Sequence, residues 1–327
     1  MISIVICTHN GSTRIGPCLT SLIAQENPPQ YEIVVVNNAS TDGTGDLVRK
    51  HLDSYFPSGS WKVIQEDKPG LLYARLAGLK ASRYEWVLFC DDDNILFLDF
   101  LFQCQQVLSH NSGIGVLGSF GIPEFLGPKP DWFDRYSSSY AVGPQLRGKP
   151  GGNHLDFVYG ACSVYQKKPL LNLFNIGFKP VLSGRKGKEL SAGDDVEWCW
   201  LMQLMGYKVV YSPKLKFTHQ LPASRLNWEY YLKMKRGISG TVGLLSVYTY
   251  YFSASFRPLI SFVFHYFSKT IKSVLLYLKY RLRWAGKPSK PENQLSFAIL
   301  ESQMWAYLRQ GNLAIKHFRQ LKNYFGA

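Results

Sequence analysis

The chain has 327 residues, 46% hydrophobic and 18% charged, which excludes a disordered polymer and leaves room for one large α/β domain with an appendage or for two domains. Six cysteines at positions 7, 18, 90, 104, 162 and 199 include no CxxC pair, which excludes a disulfide-stapled scaffold or zinc ribbon and points to a reducing compartment. The formal charge of +14 sits in the last third: residues 1–212 hold 19 Lys/Arg against 20 Asp/Glu, and residues 213–327 hold 18 against 3.

The start, MISIVICTHN, lacks a basic n-region, so Ile2–Cys7 reads as a strand and not as a signal peptide. A helix is expected over Pro17–Ala24, with Leu19, Leu22 and Ile23 on one face, then a buried strand at Glu32–Val36. Gly45–Tyr55 follows as a helix entered through a Ser/Thr/Asp turn, and Lys62–Gln65 as a weaker strand. Leu71–Ala81 reads as a helix, Trp86–Cys90 as an apolar strand and Leu96–Leu108 as a helix. This βαβα alternation predicts an α/β fold, a mostly parallel sheet with helices on both faces. Residues 121–156 are rich in Pro, Gly and aromatics without periodicity and read as a lid or binding loop. Asp156–Tyr165 reads as a strand interrupted by Gly160, where close approach of a ligand would favour a missing side chain. Asp194–Met205 predicts a helix with Val196, Trp200, Leu201 and Leu204 on one stripe, stopped by Gly206 and followed by a strand at Lys208–Tyr211.

From Ile238 to Phe256 the chain is uncharged for 19 residues, about 28 Å as a helix against the ~30 Å of a bilayer core. Its Ser, Thr and Tyr content and its basic flanks on both sides predict a re-entrant or surface-lying arrangement over a crossing. Lys269–Trp284 is amphipathic, with Ile271, Val274, Leu275, Leu278 and Leu282 on one face and Lys272, Lys279 and Arg283 beside it. That is the pattern of a helix in the headgroup layer, or of a helical subdomain with solvated lysines. After a linker at Gly286–Pro291, Leu295–Leu308 and Leu313–Tyr324 read as two antiparallel helices broken at Gly311-Asn312, which could also join copies of the chain. The expected division is 1–220, in halves 1–120 and 121–220, and a basic, mainly helical region 221–327. A basic region of this kind needs a polyanionic partner. Lysines interleaved with an apolar face fit an anionic membrane surface, and no nucleic-acid-reading motif is present.

In parallel sheets ligands bind outside the carboxyl ends of the strands. Three polar edges lie there: Thr8-His9-Asn10, Asn37 to Gly43, and Asp91-Asp92-Asp93-Asn94. Three consecutive carboxylates closing a buried strand raise one another's pKa and cost stability unless positive charge sits beside them. A hard divalent cation, shared with waters and phosphate oxygens, would resolve that cost. The same triplet could equally be a solvated turn or a cap for the next helix.

CTHN, EIVVVNNASTDGT, KPGLLYARLAGLKAS, FCDDDN and AGDDVEWCW, in that order over residues 1–220, resemble the inverting glycosyltransferase family 2, of GT-A fold. The resemblance implies a nucleotide-sugar donor, Mn²⁺ or Mg²⁺, and inversion at the anomeric carbon by single displacement. It places Thr8 and Asn10 beside base and ribose, although both also read as strand-end hydrogen bonding. Asn37 and Asn38 stand where the family usually has one or two aspartates, with Asn38 near the nucleobase-reading position and uridine the first choice of base. Asp67, Lys68 and Gly70 match the loop before the third helix. Arg75 matches an arginine near the nucleotide, or reads as an ion pair to one of the aspartates, and Leu76 replaces the usual Asn. Asp91 and Asp93 match the metal-binding carboxylates, with Asp92 contributing to the ribose or solvated, and His219 matches a histidine that completes the metal or phosphate shell.

On the acceptor side, the resemblance implies that Gly160 and Asp194 face the acceptor and that Asp195 is the general base. The family's usual Glu-Asp pair is Asp194-Asp195 here. Both also read as caps at a helix start, where the dipole favours carboxylates. Arg185 and Lys186 are candidates for pyrophosphate contacts, or exposed loop cations. Trp132, Phe133, Tyr136 and Tyr140 could stack on sugar rings or simply pack. The expectation is an enzyme of polysaccharide biosynthesis. It would be cytoplasmic, attached peripherally to the inner face of the cell membrane, and would move a sugar from a UDP-sugar to a hydroxyl of a lipid-linked or cell-envelope glycan. The alternatives are a catalytically silent sugar-nucleotide or scaffold protein on the same fold, and a nucleic-acid-binding protein using the basic third.

Overall fold

Runs of β-branched residues set the centre of the first unit. Ile2, Ile4, Val5 and Ile6, Ile33 to Val36, and Val87 to Phe89 are fully or almost fully buried, as strands covered on both faces must be. In the computed structural model, which describes residues 1–145, 157–185, 190–253, 258–284 and 290–326, these runs lie in β1 (Ile2–Thr8), β2 (Tyr31–Asn38) and β4 (Trp86–Asp91). Between them come α1 (Ile15–Ile23), α2 (Thr44–Tyr55), β3 (Trp61–Glu66) and α3 (Leu71–Ala81). β5 (Asn94–Leu96), α4 (Phe100–His110), β6 (Ile114–Leu126), α5 (Phe133–Tyr136), β7 (Ser163–Gln166), α6 (Lys167–Asn175), α7 (Asp194–Leu204) and β8 (Lys208–Pro222) follow. The eight strands form one sheet in the order β3-β2-β1-β4-β7-β6-β8-β5. β1 to β4 are mutually parallel, while β7 is antiparallel to both β4 and β6. α3 presses directly on this sheet. A Cβ on Gly78 would fall 2.3 Å from Val5 Cγ1 and 3.3 Å from Val36 Cγ2.

Several expected elements take another form. Leu96, expected to begin a helix, instead ends β5, which pairs antiparallel with β8, Asn94 opposite His219, and the helix starts only at Phe100. Residues 121–126 were expected in an irregular loop but continue β6, because their register runs from Gly121↔Phe217 to Leu126↔Pro222 along a β8 that extends well past Tyr211. Gly121 and Pro123 in that stretch hide its strand character from a periodicity reading. Of the strand expected at Asp156–Tyr165, Asp156 lies outside the described residues and pairing begins only at Ser163. None of the six cysteines is in a disulfide, and all lie in the first unit. Cys18, Cys90 and Cys162 stack with Sγ separations of 3.9 and 3.7 Å, and burial pushes the Cys104 thiol up to about 12.

The chain divides into two compact units, Met1–Gly177 with Trp198–Leu226, and Phe178–Glu197 with Asn227–Ala327. This differs from a boundary at 220. The segment before α7 and its first turn, with Asp194 and Asp195, group with the C-terminal helices. Those helices are α8 (Trp228–Ser239), α9 (Val242–Ser253), α10 (Leu259–Arg283) and α11 (Pro291–Phe325). The expected break at Gly311-Asn312 is absent: α11 is one helix of 35 residues. Its buried stripe from Leu295 to Leu321 packs on the neighbouring helices, with Phe318 stacked 4.4 Å from Phe262. Such packing outweighs the ~1 kcal/mol a helical glycine costs.

The uncharged run at 238–256 has a plain explanation, since Leu244, Val247, Tyr248 and Tyr250 of α9 are buried in this unit. Among the described residues the one helix long and apolar enough to cross a membrane is instead α10, with 17% of its apolar window buried. α10 docks by Phe262, Tyr266, Ser273 and Tyr277 and turns Phe264, Phe267, Ile271, Leu275, Leu278 and Leu282 outward.

Candidate active site

Register gathers the three polar edges. Thr8 pairs with Asn37 and Cys7 with Asp91, so the loops after β1, β2 and β4 open at one end of the sheet. The positive charge required beside the acidic triplet comes from the protein itself. Arg14 Nε donates to Asp92 Oδ1 at 2.8 Å, Thr8 Oγ1 donates to Asp92 Oδ2 at 2.6 Å, and Arg225 Nη1 donates to Asp93 Oδ2 at 2.8 Å. Burial pushes the Asp92 carboxyl up, while the Arg14 and Thr8 hydrogen bonds pull it back. Asp92 is therefore built into the loop on both oxygens.

Asp93 lies past the turn, its carbonyl accepting from Gln220 N at 3.0 Å. His219 donates Nδ1–H to the Tyr140 carbonyl at 2.8 Å and turns Nε2 toward Asp93 Oδ1 at 3.5 Å. An imidazole oriented by a carbonyl and facing a carboxylate has the donor chemistry of a cation site. A divalent ion that also takes phosphate oxygens needs few protein ligands, and Asp93 with His219 fit that requirement. Among the described residues no three His, Cys, Asp or Glu side chains group to hold a metal ion. The structure thus joins Asp93 with His219 but does not group Asp91 with them. Asp91 ends β4 before the turn and is half-buried.

The other expected donor residues are spread along the same edge. Asn10 accepts from Thr41 N through Oδ1 at 2.8 Å, and its own N–H goes to Ser40 Oγ at 3.0 Å. Asn38 is buried, donating to the carbonyls of Glu66 (3.0 Å) and Lys68 (2.8 Å) and accepting from Gly70 N (2.9 Å). Both N–H groups of its amide are spent on stitching the loops together. Asp67 is exposed, and Lys68 Nζ sits 3.9 Å over the Tyr73 ring. Arg75 is buried, its guanidinium over Phe89 at 5.7 Å and its Nη2 3.4 Å from the Gly160 carbonyl. A Cβ on Gly160 would lie 2.5 Å from that Nη2, so the space left by the glycine is filled by arginine. Phe133 and Tyr140 are buried against each other, ring centroids 5.1 Å apart, as packing residues.

In the second unit, Asp194 is buried and Asp195 half-buried at the start of α7, where Asp195 Oδ1 accepts from Val196 N at 2.9 Å. Arg185 is exposed, and Lys186 lies outside the described residues. The first turn is anchored by Glu197, which is fully buried. Its carboxyl accepts from Leu182 N at 2.8 Å, Val181 N at 2.9 Å and the Tyr248 hydroxyl at 2.6 Å, and His317 Nε2 stands 3.6 Å away. Burial drives both titratable groups toward neutrality, Glu197 up to about 7 and His317 down to about 4.

A family model described as glycosyl transferase family 2 matches residues 3–174, more than half of the chain. The chain belongs to glycosyl transferase family 2. Glycosyltransferase AglE of Haloferax volcanii is 30% identical over 128 residues, 39% of this chain and 40% of AglE. The poly(ribitol-phosphate) beta-glucosyltransferase of Bacillus spizizenii is 29% identical over 156 residues, 44% of this chain and 24% of that protein. The matched part is thus well under half the length of these relatives. Among solved structures, Staphylococcus aureus TarS with UDP-GlcNAc superposes with a TM-score of 0.52 at 16% identity, covering 99% of this chain and 92% of that one. The mannosyltransferase PcManGT of Pyrobaculum calidifontis, with GDP-Man and Mn²⁺, gives 0.51 at 16% identity, covering 100% and 76%. At such identities the likeness establishes the GT-A fold of this family member.

Sequence reasoning missed Arg14 and Arg225, both of which neutralise the acidic loop, and Tyr140 as the orienter of His219. Arg225, three residues past β8, carried a findable signal: it follows His219 on the strand that ends at the site.

Proposed function

We propose that this chain is an inverting transferase that moves a sugar from a nucleotide-sugar donor to a hydroxyl of a cell-envelope glycan or its lipid-linked precursor. The observation that carries this reading is the Asp92–Asp93 loop. It is held rigid by Thr8 and Arg14 at the carboxyl end of the parallel strands, with His219 and Arg225 converging on Asp93. Such preorganised charge is what a departing nucleoside diphosphate needs. A divalent cation held by Asp93 and His219 would supply further charge for the leaving oxygens.

The acceptor hydroxyl oxygen attacks the anomeric carbon as the bond to the diphosphate breaks with its electron pair. The hydroxyl proton passes to Asp195, and the configuration inverts. Positioned base help of this kind is worth about 10²–10⁴-fold. Support for a membrane-surface location comes from α10. Its outward aliphatic face borders Lys272 and Lys279, and no carboxylate occurs between Glu229 and Glu292. An anionic bilayer surface is the partner this suits, with the helix lying in the headgroup plane.

The test is a panel of UDP- and GDP-sugars with and without Mn²⁺, read as donor binding and as transfer by wild type and Asp195→Asn. Failure of every donor to bind would end the reading, and equal transfer by both proteins would remove Asp195 as the base.

A further inference from the structure

Two arginines neutralise the acidic loop, and they come from different parts of the chain. Arg14 also donates from Nη1 to the Asn10 carbonyl and from Nη2 to the His9 carbonyl, each at 2.8 Å, so it is a fixed part of the first loop. Arg225 stands on a short turn, Ala223–Arg225, directly after β8. Its backbone is fixed: the carbonyl accepts from the Tyr140 hydroxyl at 2.9 Å. Its guanidinium, at the end of a long side chain that is 20% exposed, reaches Asp93 Oδ2 at 2.8 Å. The same carboxylate offers Oδ1 to His219 Nε2 at 3.5 Å. Asp93 is therefore the one carboxylate of the loop on which a protein cation and an expected metal ion meet.

We propose that Arg225 is an exchange cation of the donor site. It neutralises Asp93 while the donor is absent and moves to the donor's diphosphate when a divalent ion takes Asp93. This rests on the nucleotide-sugar reading above. The physical reason is charge count. A second cation on Asp93 repels the guanidinium and weakens its attraction to that carboxylate. A guanidinium released at that point meets phosphate oxygens, for which its planar fork is the better-matched donor set. No covalent bond changes; one ion pair is exchanged for another, and Asp93 is not left unbalanced at any stage.

The exchange predicts two effects of opposite sign in Arg225→Ala. Calorimetry of the full chain with Mn²⁺ alone should show three- to tenfold tighter binding than wild type, because the competing cation is gone. Titration with UDP or GDP in saturating Mn²⁺ should show binding at least tenfold weaker. Arg225→Lys, which keeps the charge without the fork, should return Mn²⁺ affinity to within twofold of wild type and recover only part of the nucleotide affinity. Mn²⁺ binding to Arg225→Ala that is equal to or weaker than wild type would overturn the inference, since the arginine would then orient Asp93 instead of competing for it. Nucleotide affinity within twofold of wild type would overturn it as well. Wild-type protein that binds neither Mn²⁺ nor either nucleotide would take down the donor reading itself, a result distinct from wild type binding both and Arg225→Ala matching it.

Discussion

Replacing Glu197 with glutamine should make the stability of the chain rise with pH across a range where wild type is nearly flat. In the fold Glu197 is held near 7, chiefly by burial, against the lowering influence of the Tyr248 hydroxyl and two backbone amides. The unfolded chain releases that proton near 4.5, so the folded state binds more protons between 4.5 and 7 and this group's contribution is lost as pH rises. His317 works the other way. Burial holds it near 4, the unfolded chain takes up a proton below 6.5, and its contribution is lost as pH falls. At about 1.4 kcal/mol per pH unit, each displacement is worth roughly 3 kcal/mol across its window, and between 4.5 and 6.5 the two slopes oppose each other. Urea unfolding of the full chain followed by helical circular dichroism measures the balance. Relative to wild type, Glu197→Gln should gain stability with rising pH at up to about 1.4 kcal/mol per unit, and His317→Gln should lose it at a similar rate. Difference curves that stay level with pH for either variant would refute the account of a buried, neutral Glu197–His317 pair.

Asp195→Asn should lower transfer by about 10²–10⁴-fold while donor binding by calorimetry stays within a few-fold of wild type. Gly78→Ala should cost about 1–3 kcal/mol in denaturant unfolding, because the added methyl enters the space of Val5 and Val36; a neutral result would mean α3 lifts freely from the sheet. Leu275→Glu with Leu278→Glu on the outward face of α10 should abolish flotation with anionic vesicles without lowering thermal stability. Wild type that floats equally well with neutral vesicles would remove the electrostatic part of that argument.

The parallel half of the fold was legible because its strands are continuous buried runs and its helices are bounded by turn residues. Ile2–Cys7, Glu32–Val36, Leu71–Ala81 and Trp86–Cys90 all fall within one residue or two of the observed elements. The second half of the sheet was not legible. β6 and β8 pair across nearly a hundred residues, and that pairing, not local periodicity, keeps Gly121 and Pro123 extended. The unbroken α11 is the same lesson in a helix, where tertiary packing overrides Gly311 and Asn312. At the site, sequence identified the strand-end loops but misjudged how the acidic triplet is balanced. The balancing residues Arg14 and Arg225 are 78 and 132 positions away from their carboxylates, a distance no spacing rule reaches. The three hydrogen bonds by which Asn38 joins neighbouring loops are likewise visible only in the geometry.

The placement of the thiols equips the molecule with its own reporter. Every cysteine belongs to the sheet-bearing unit and five of the six are sealed from solvent, whereas the helical unit contains none. A thiol-reactive dye added to the native chain should therefore label Cys7 alone and at leisure. Each further equivalent consumed would count openings of the sheet-bearing unit, blind to whatever the C-terminal helices are doing.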